Sequence, residues 1–209
     1  MAAELGAHPS INESLGERIC FVTVGTTSFD ELVEQMDSPP LHAHLRRLGM
    51  TKLVVQIGRG TYTPKCATAG ADADLAGRGE RAGASTAGQE PSASGLLPTM
   101  CFKFAPSLDA HMRSAALIIS HGGAGSIMEA LGLRKPLVVV VNGALMDDHQ
   151  SELAGALEER GHLRSTTCAG LEGVLADFDL SGGVPYPPPD LGAFPALLDA
   201  EMGFAPAER

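Results

Sequence analysis

Tryptophan is absent from this 209-residue chain, and aromatic residues make up only 4 % of it. Base-stacking surfaces for single-stranded nucleic acid are built from aromatic rings, so that role has little to stand on. Positive charge is scarce as well. Fifteen Lys and Arg, four of them Lys, face 25 Asp and Glu, for a formal charge of −10. Binding to a phosphate backbone needs a basic face, so no nucleic acid is expected as a partner. Long hydrophobic runs are missing too. No unbroken apolar stretch exceeds five residues, as in Leu137–Val141, whereas a membrane-spanning helix needs about 20. The opening MAAELGAHPSINESLGER lacks the basic-then-apolar order of a signal peptide, which leads to the expectation of a soluble, cytoplasmic chain. The four cysteines (Cys20, Cys66, Cys101, Cys168) form no C-x-x-C. Neither a zinc site nor a disulfide framework is expected from such spacing. Cys20 and Cys101 fall inside apolar runs and read as small hydrophobes.

What is present is ordinary globular composition, with 44 % hydrophobic and 19 % charged residues, in a chain long enough to bury a core. Residues 1–17 are polar and without periodicity and read as a disordered tail. Short apolar runs rich in β-branched residues predict strands at 19–24, 52–57, 100–104, 116–120, 136–141 and 162–166. Between them the pattern predicts helices from Phe29, over about 40–48, at 106–114, from the glycine run after His121 to about Leu133, at 149–160 and at 170–177. Residues 66–98 differ. Ala, Gly, Ser, Thr and Pro make up 22 of those 33 positions, which reads as a low-complexity insert on the surface. Val184–Pro189 (VPYPPP) reads as extended polyproline, followed by a last helix near 191–202. Residues 18–180 thus form one domain, and 181–209 a Pro-rich segment with a terminal helix. Strands that are continuously apolar and alternate with helices predict an α/β fold: a Rossmann-like parallel sheet with helices on both faces. Ligands of such sheets bind beyond the carboxyl ends of the strands, so the loops that matter are 25–29, 58–62, 105–107, 120–126 and 142–150.

Three of these loops carry chemistry. In IISHGGAGSIME (118–129) a strand ends, a glycine-rich turn follows and a helix begins. Gly122, Gly123 and Gly125 let a backbone approach a ligand, and the helix N-terminus offers free N–H groups and positive potential to an anion. Ser126 and His121 add side-chain donors. Glu129 lies about one turn past Ser126, where a carboxylate accepts from ribose hydroxyls. The competing reading is a tight turn with Ser126 and Glu129 as a capping box. The run is neither a dinucleotide fingerprint nor a P-loop, since no lysine follows it. NGALMDDHQ (142–150) brings Asp147, Asp148, His149 and Gln150 to the end of an apolar strand; sugar recognition and a simple Asp N-cap both fit. Asp148 and His149 have no third ligand nearby, so no metal site is expected. Gly25, Thr26 and Thr27 close the first strand and offer backbone donors or a plain βα turn. Arg59, between Gly58 and Gly60, reads as solvated or as a phosphate contact. His42, His44, His111 and His162 find no convergent partners in the sequence and read as surface residues.

Taken together, FVTVGTTSFDELV (21–33), LVVQIGRGTY (53–62), LIISHGGAGSIMEALGLRKPLVVVVN (117–142), LMDDHQSELA (145–154) and the tail VPYPPPDLGAFPALLDAEMGF (184–204) carry a resemblance. The chain resembles the cytosolic catalytic subunits of the UDP-N-acetylglucosamine transferases that perform the second step of dolichol-linked oligosaccharide assembly. Residues 66–98 depart from that family as an expanded insert. The resemblance implies a domain equivalent to the C-terminal, donor-binding half of a GT-B glycosyltransferase. The other, acceptor-binding half would be a separate membrane-anchored subunit that recruits this one to the cytosolic face of the endoplasmic reticulum. The implied reaction moves GlcNAc from UDP-GlcNAc to GlcNAc-diphosphate-dolichol, forming a β1,4 link with inversion.

By motif position, the resemblance implies that Gly122, Gly123, Gly125 and Ser126 hold the diphosphate with His121 beside it. Glu129 would bind ribose, and Asp148, His149 and Gln150 the GlcNAc hydroxyls. Gly25, Thr26 and Thr27 would face the diphosphate across the cleft, and the helix near 191–202 would pack on the partner. No tightly bound cofactor is implied, although Mg²⁺ can accompany UDP. The general base is not assigned; His149 and Asp148 are the weak candidates. Two other classes compete: a non-catalytic nucleotide-sugar-binding or regulatory subunit, and an NAD-type oxidoreductase. The last needs a third glycine after the first strand, which GTTSFD lacks.

Overall fold

The computed structural model describes residues 16–67, 95–142, 148–188, 190 and 192–202. Six strands follow the apolar runs: β1 (Ile19–Thr23), β2 (Lys52–Gln56), β3 (Thr99–Phe102), β4 (Ala115–His121), β5 (Leu137–Val140) and β6 (Arg164–Thr166). All pairings are parallel, in the order β3-β2-β1-β4-β5-β6. The chain therefore builds outward from β1 in one direction, returns to β4 beside it and builds outward in the other. The point of reversal lies between β1 and β4, which is where a doubly wound sheet opens a crevice.

The helices are α1 (Asp30–Gln35), α2 (Pro39–Arg47), α3 (Asp109–Ser114), α4 (Ala124–Gly132), α5 (Asp148–Glu159), α6 (Leu171–Ala176) and α7 (Ala193–Glu201). Alternate strand residues point to opposite faces, and two separate cores result. Cys20, Val22, Leu53, Val55, Leu117 and Ile119 pack with Leu32, Leu41, Leu45, Leu171 and Leu175 of α1, α2 and α6. Phe21, Val54, Ile118 and Val139 pack with Met112, Ile127, Leu131 and Leu157 of α3, α4 and α5. Both faces are thus covered, and this is why the strands read as unbroken apolar runs. Ser38 caps α2, ahead of Pro39 and Pro40 in its first turn, positions where a missing N–H costs nothing. The strand expected at 100–104 stops at Phe102, and the carbonyl of Lys103 instead accepts from the Gln56 side chain and the Gly58 N–H. The helix expected from 106 begins at Asp109.

The expected tail 1–17 is described only at 16 and 17, and the insert 66–98 only at 66, 67 and 95–98. Those margins are packed. Cys66 Sγ donates to the Met36 carbonyl at 3.3 Å, Ala67 bridges to Thr99, and Leu97 is buried. All four cysteines are free thiols.

The reading of the histidines as surface residues is corrected for His42. It is fully buried, with Nε2 2.7 Å from the Met36 carbonyl and Nδ1 accepting from the Leu97 N–H at 2.9 Å. Because Nδ1 accepts, the ring is neutral with its hydrogen on Nε2. His111 is half-buried as well, stacked against both Phe21 and Phe102 at 5.4 and 4.8 Å. His162 holds the Val184 carbonyl and meets Tyr186 edge-on. Burial lowers the pKa values of His42 and His111 from 6.5. The unfolded chain therefore binds more protons below about pH 6.5, so stability is full above that value and falls as pH drops. Urea denaturation near pH 5 is expected at lower concentration than near pH 7.5, with a smaller difference in His42→Gln. Equal midpoints at the two pH values would contradict this account of His42.

Candidate functional site

A cleft of about 460 Å³ opens at the carboxyl ends of β1 to β4. Its walls are Gly25 and Thr26 after β1, Gln56 at the end of β2, Phe104–Leu108 after β3, and His121, Gly123, Gly125, Ser126 and Glu129 from the end of β4 into α4. Thr23 and Ser120 pair across β1 and β4, so the two glycine loops leave the sheet at one level and face each other.

The α4 side is built around its N-terminus. Gly123 is the N-cap, and no side chain caps the helix. Ser126 is therefore the third helical residue, which excludes the capping-box reading, since that motif needs Ser at the N-cap. The first-turn N–H groups stay directed at the cleft with the positive end of the helix dipole behind them. A Cβ on Gly125 would meet nothing within 4 Å, so no packing within the described residues requires glycine there; the space it leaves belongs to the cleft. Glu129, exposed on the same helix, completes that wall.

His121 joins the two loops. Its ring stands in a slot between them: a Cβ on Gly25 would lie 2.6 Å from its Cε1, and one on Gly123 would lie 2.9 Å from the same atom and closer still to Nε2. Gly25 has φ +65, a backbone state that also favours glycine. Burial lowers the His121 pKa, against a smaller opposing effect of the Thr23 carbonyl. That carbonyl, 3.4 Å from Nδ1, can only accept, so the neutral ring carries its hydrogen on Nδ1 and offers Nε2 as an acceptor. Donation from Nε2 to a phosphate oxygen then requires proton uptake, which an adjacent anion favours.

Other expected residues distribute as follows. Gly122 is buried behind the loop, where a Cβ would lie 3.1 Å from both Cβ and Oε1 of Gln150; the start of α5 therefore meets the glycine loop. Asp148 and His149 are the first two residues of α5, and their side chains lie outside the described residues, as does Asp147. Thr27 stands apart from the cleft lining. Its hydroxyl donates to the Val24 carbonyl at 2.9 Å and its own carbonyl accepts from the Arg59 N–H. Arg59 is exposed. Among the described residues no group of three or more His, Cys, Asp or Glu could hold a metal ion, and no helix is long and apolar enough to cross a membrane.

Two wall residues were not singled out by the sequence. Gln56 is 2 % exposed and reads as the polar end of an apolar strand. Phe104 is 52 % exposed and puts an aromatic ring at the rim. A second cavity, about 290 Å³, lies at the opposite end of the sheet among Pro136, His162, Arg164 and Tyr186. None of the residues expected to bind a ligand lines it.

The glycosyltransferase family 28 C-terminal domain matches residues 19–185 of this chain. A Homo sapiens protein named UDP-N-acetylglucosamine transferase subunit ALG13 is 38 % identical over 148 residues, 71 % of this chain and 11 % of that protein. The chain thus spans about a tenth of the mammalian relatives it matches. A relative of the same name from Eremothecium gossypii is 33 % identical over 195 residues, covering 88 % of this chain and 92 % of that one. A solution structure of ALG13 superposes with a TM-score of 0.56 at 25 % identity, over 87 % of this chain and 95 % of that chain. Acinetobacter baumannii MurG shares the fold, with a TM-score of 0.50 at 16 % identity over 91 % of this chain and 44 % of its own. The sheet order, with these likenesses, is that of the Rossmann-like C-terminal half of a GT-B glycosyltransferase. The chain belongs to the glycosyltransferase family 28 C-terminal-domain family, among the UDP-N-acetylglucosamine transferase subunits named ALG13.

Proposed function

We propose that this chain is the catalytic, donor-binding subunit of a two-subunit inverting glycosyltransferase of N-glycan precursor synthesis. It would move GlcNAc from UDP-GlcNAc to GlcNAc-diphosphate-dolichol with a β1,4 link, at the cytosolic face of the endoplasmic reticulum. The single observation that carries the reading is the cleft at the sheet's reversal point, where an uncapped helix N-terminus, an open Gly125 and Glu129 share one wall. The first-turn N–H groups of α4 and Ser126 would hold the diphosphate, Glu129 the ribose hydroxyls, and Gln150, with Asp148 and His149, the sugar. Phe104 is the aromatic surface the rim offers to a uracil ring.

Inverting transfer is one in-line displacement, in which the acceptor 4-hydroxyl attacks C1 of GlcNAc as UDP leaves. The leaving diphosphate gains charge as the bond breaks. Fixed N–H dipoles aimed at it lower the barrier because they need no reorganisation at that moment. Mg²⁺ accompanying UDP would help neutralise the same charge. The acceptor's proton needs a base, which a membrane-anchored second subunit carrying the acceptor half would supply unless His149 or Asp148 does. The word "subunit" in the relatives' name supports a partnered assembly, with α7 as the element that would pack on the partner.

Glu129→Ala is expected to weaken UDP-GlcNAc binding by about 1–3 kcal/mol, the range for losing a charged hydrogen-bond partner. Calorimetric titration of wild type and variant reads this directly. Equal affinities would remove Glu129 from the donor site.

A further inference from the structure

Gln56 makes four hydrogen bonds with one side chain. Its Oε1 accepts from the Thr23 hydroxyl at 2.6 Å and from the Gly25 N–H at 2.9 Å. Its Nε2 donates to the Gly25 carbonyl at 2.6 Å and to the Lys103 carbonyl at 2.9 Å. Both Nε2 hydrogens and both Oε1 lone pairs are used, so the amide is fully satisfied in a site that is 2 % exposed. The two bonds to Gly25 reproduce, from a side chain, the paired N–H and C=O exchange of a neighbouring strand. Beyond Thr23, where β1 ends, Gln56 therefore extends the pairing across the turn.

Gly25 is the residue that needs this. Its φ of +65 sets the wall against which the His121 ring rests, and Thr23 holds both Gln56 and, through its carbonyl, His121 Nδ1. We infer that Gln56 is a positioning residue for donor binding: its amide fixes the Gly25 loop and, through it, the distance between that loop and the α4 N-terminus. Resting on the reading of the cleft as a nucleotide-sugar site, it acts through Gly25 rather than by touching the donor. The Gly25 N–H also donates to the Thr23 hydroxyl at 3.1 Å, so what the amide supplies in particular is the donor to the Gly25 carbonyl, together with a second acceptor for its N–H.

The test uses Gln56→Glu, which keeps size and acceptor atoms and makes donation depend on protonation. Burial favours the protonated acid, and its O–H replaces one Nε2 hydrogen. UDP-GlcNAc titrations on the full chain between about pH 6 and 9 should show the variant within roughly threefold of wild type at the low end. At the high end the ionised carboxylate faces two carbonyl oxygens, and its Kd should be at least roughly tenfold weaker than that of wild type at the same pH. Hydrogen exchange at the Gly25 amide should be slow in wild type and should accelerate in the variant over the same range. Melting followed at each pH confines the comparison to folded protein. Donor affinity and Gly25 exchange that match wild type at every pH would overturn the inference, as would a loss that does not depend on pH. If wild type bound no UDP-GlcNAc, the reading of the cleft would fall, and exchange at Gly25 would still decide whether Gln56 holds the loop.

Discussion

Alanine at Gly58 is expected to lower the unfolding free energy by about 3 kcal/mol or more, a loss reserved for backbone strain and core disruption. Gly58 has φ +57, and the left-handed state costs a residue with a side chain roughly 1–2 kcal/mol. The added Cβ would also lie 2.8 Å from the Gly25 carbonyl oxygen, 2.9 Å from Val24 Cγ2 and closer still to the Thr27 carbonyl oxygen. Two of these three neighbours are backbone, so no rotamer change relieves the contact, and the loop between β1 and α1 must move as a body. That loop is held by the Arg59 N–H on Thr27 and by Gln56 on Gly25, so the shift breaks pairings as well as adding strain. Chemical denaturation of the variant measures the loss. A change below about 1 kcal/mol would show that the loop yields freely and is not the rigid wall described here.

Gly123→Ala should separate binding from stability. Gly123 has φ −69, which any residue adopts, so the backbone is not strained. The obstacle is the imidazole: a Cβ would sit 2.9 Å from His121 Cε1, 3.2 Å from Cδ2 and closer still to Nε2. Gly25 closes the other side of the slot, so the ring has no room to retreat and must push the two glycine loops apart. Overpacking of this kind costs about 1–3 kcal/mol of stability, and replacing Gly by Ala at an N-cap adds to it. The larger effect falls on the cleft. Widening it would draw the α4 N–H groups away from the diphosphate that the proposed function places there, and a misplacement of about 1 Å costs up to roughly a hundredfold in activity. UDP-GlcNAc affinity is expected to fall at least about tenfold in protein that remains folded. Wild-type affinity in the variant would mean that the His121 slot does not set the donor geometry.

The strands were legible because burial on both faces leaves them apolar throughout, and β-branched residues mark them. Their order was not, since β1 lies between β2 and β4 through pairings that no local pattern encodes. The glycine loop after β4 could be read from residue type alone, and the structure accounts for Gly123 by the His121 ring and for Gly122 by Gln150. Gln56 could not. Its significance comes from Gly25, 31 positions earlier, and Lys103, 47 later, and in sequence it is one polar residue closing an apolar run. His42 escaped for the same reason: its partner at Leu97 lies 55 residues away, across the low-complexity stretch. Excluding a capping box at Ser126 needed only the helix start. Sequence boundaries are imprecise by a few residues, enough to hide that Gly123, not Ser126, occupies the N-cap.

The measurement that tests the central claim most directly is transfer of labelled GlcNAc from UDP-GlcNAc to a short-chain GlcNAc-diphosphate-lipid. It should be run with this chain alone, with the proposed membrane-anchored partner alone, and with both. The account predicts product only in the mixture, and its loss when Glu129→Ala or Gly123→Ala replaces wild type. Strong transfer by this chain alone would contradict the division of the enzyme into two subunits. Absence of product from the mixture, with UDP-GlcNAc still bound, would contradict its catalytic role and leave a nucleotide-sugar-binding subunit.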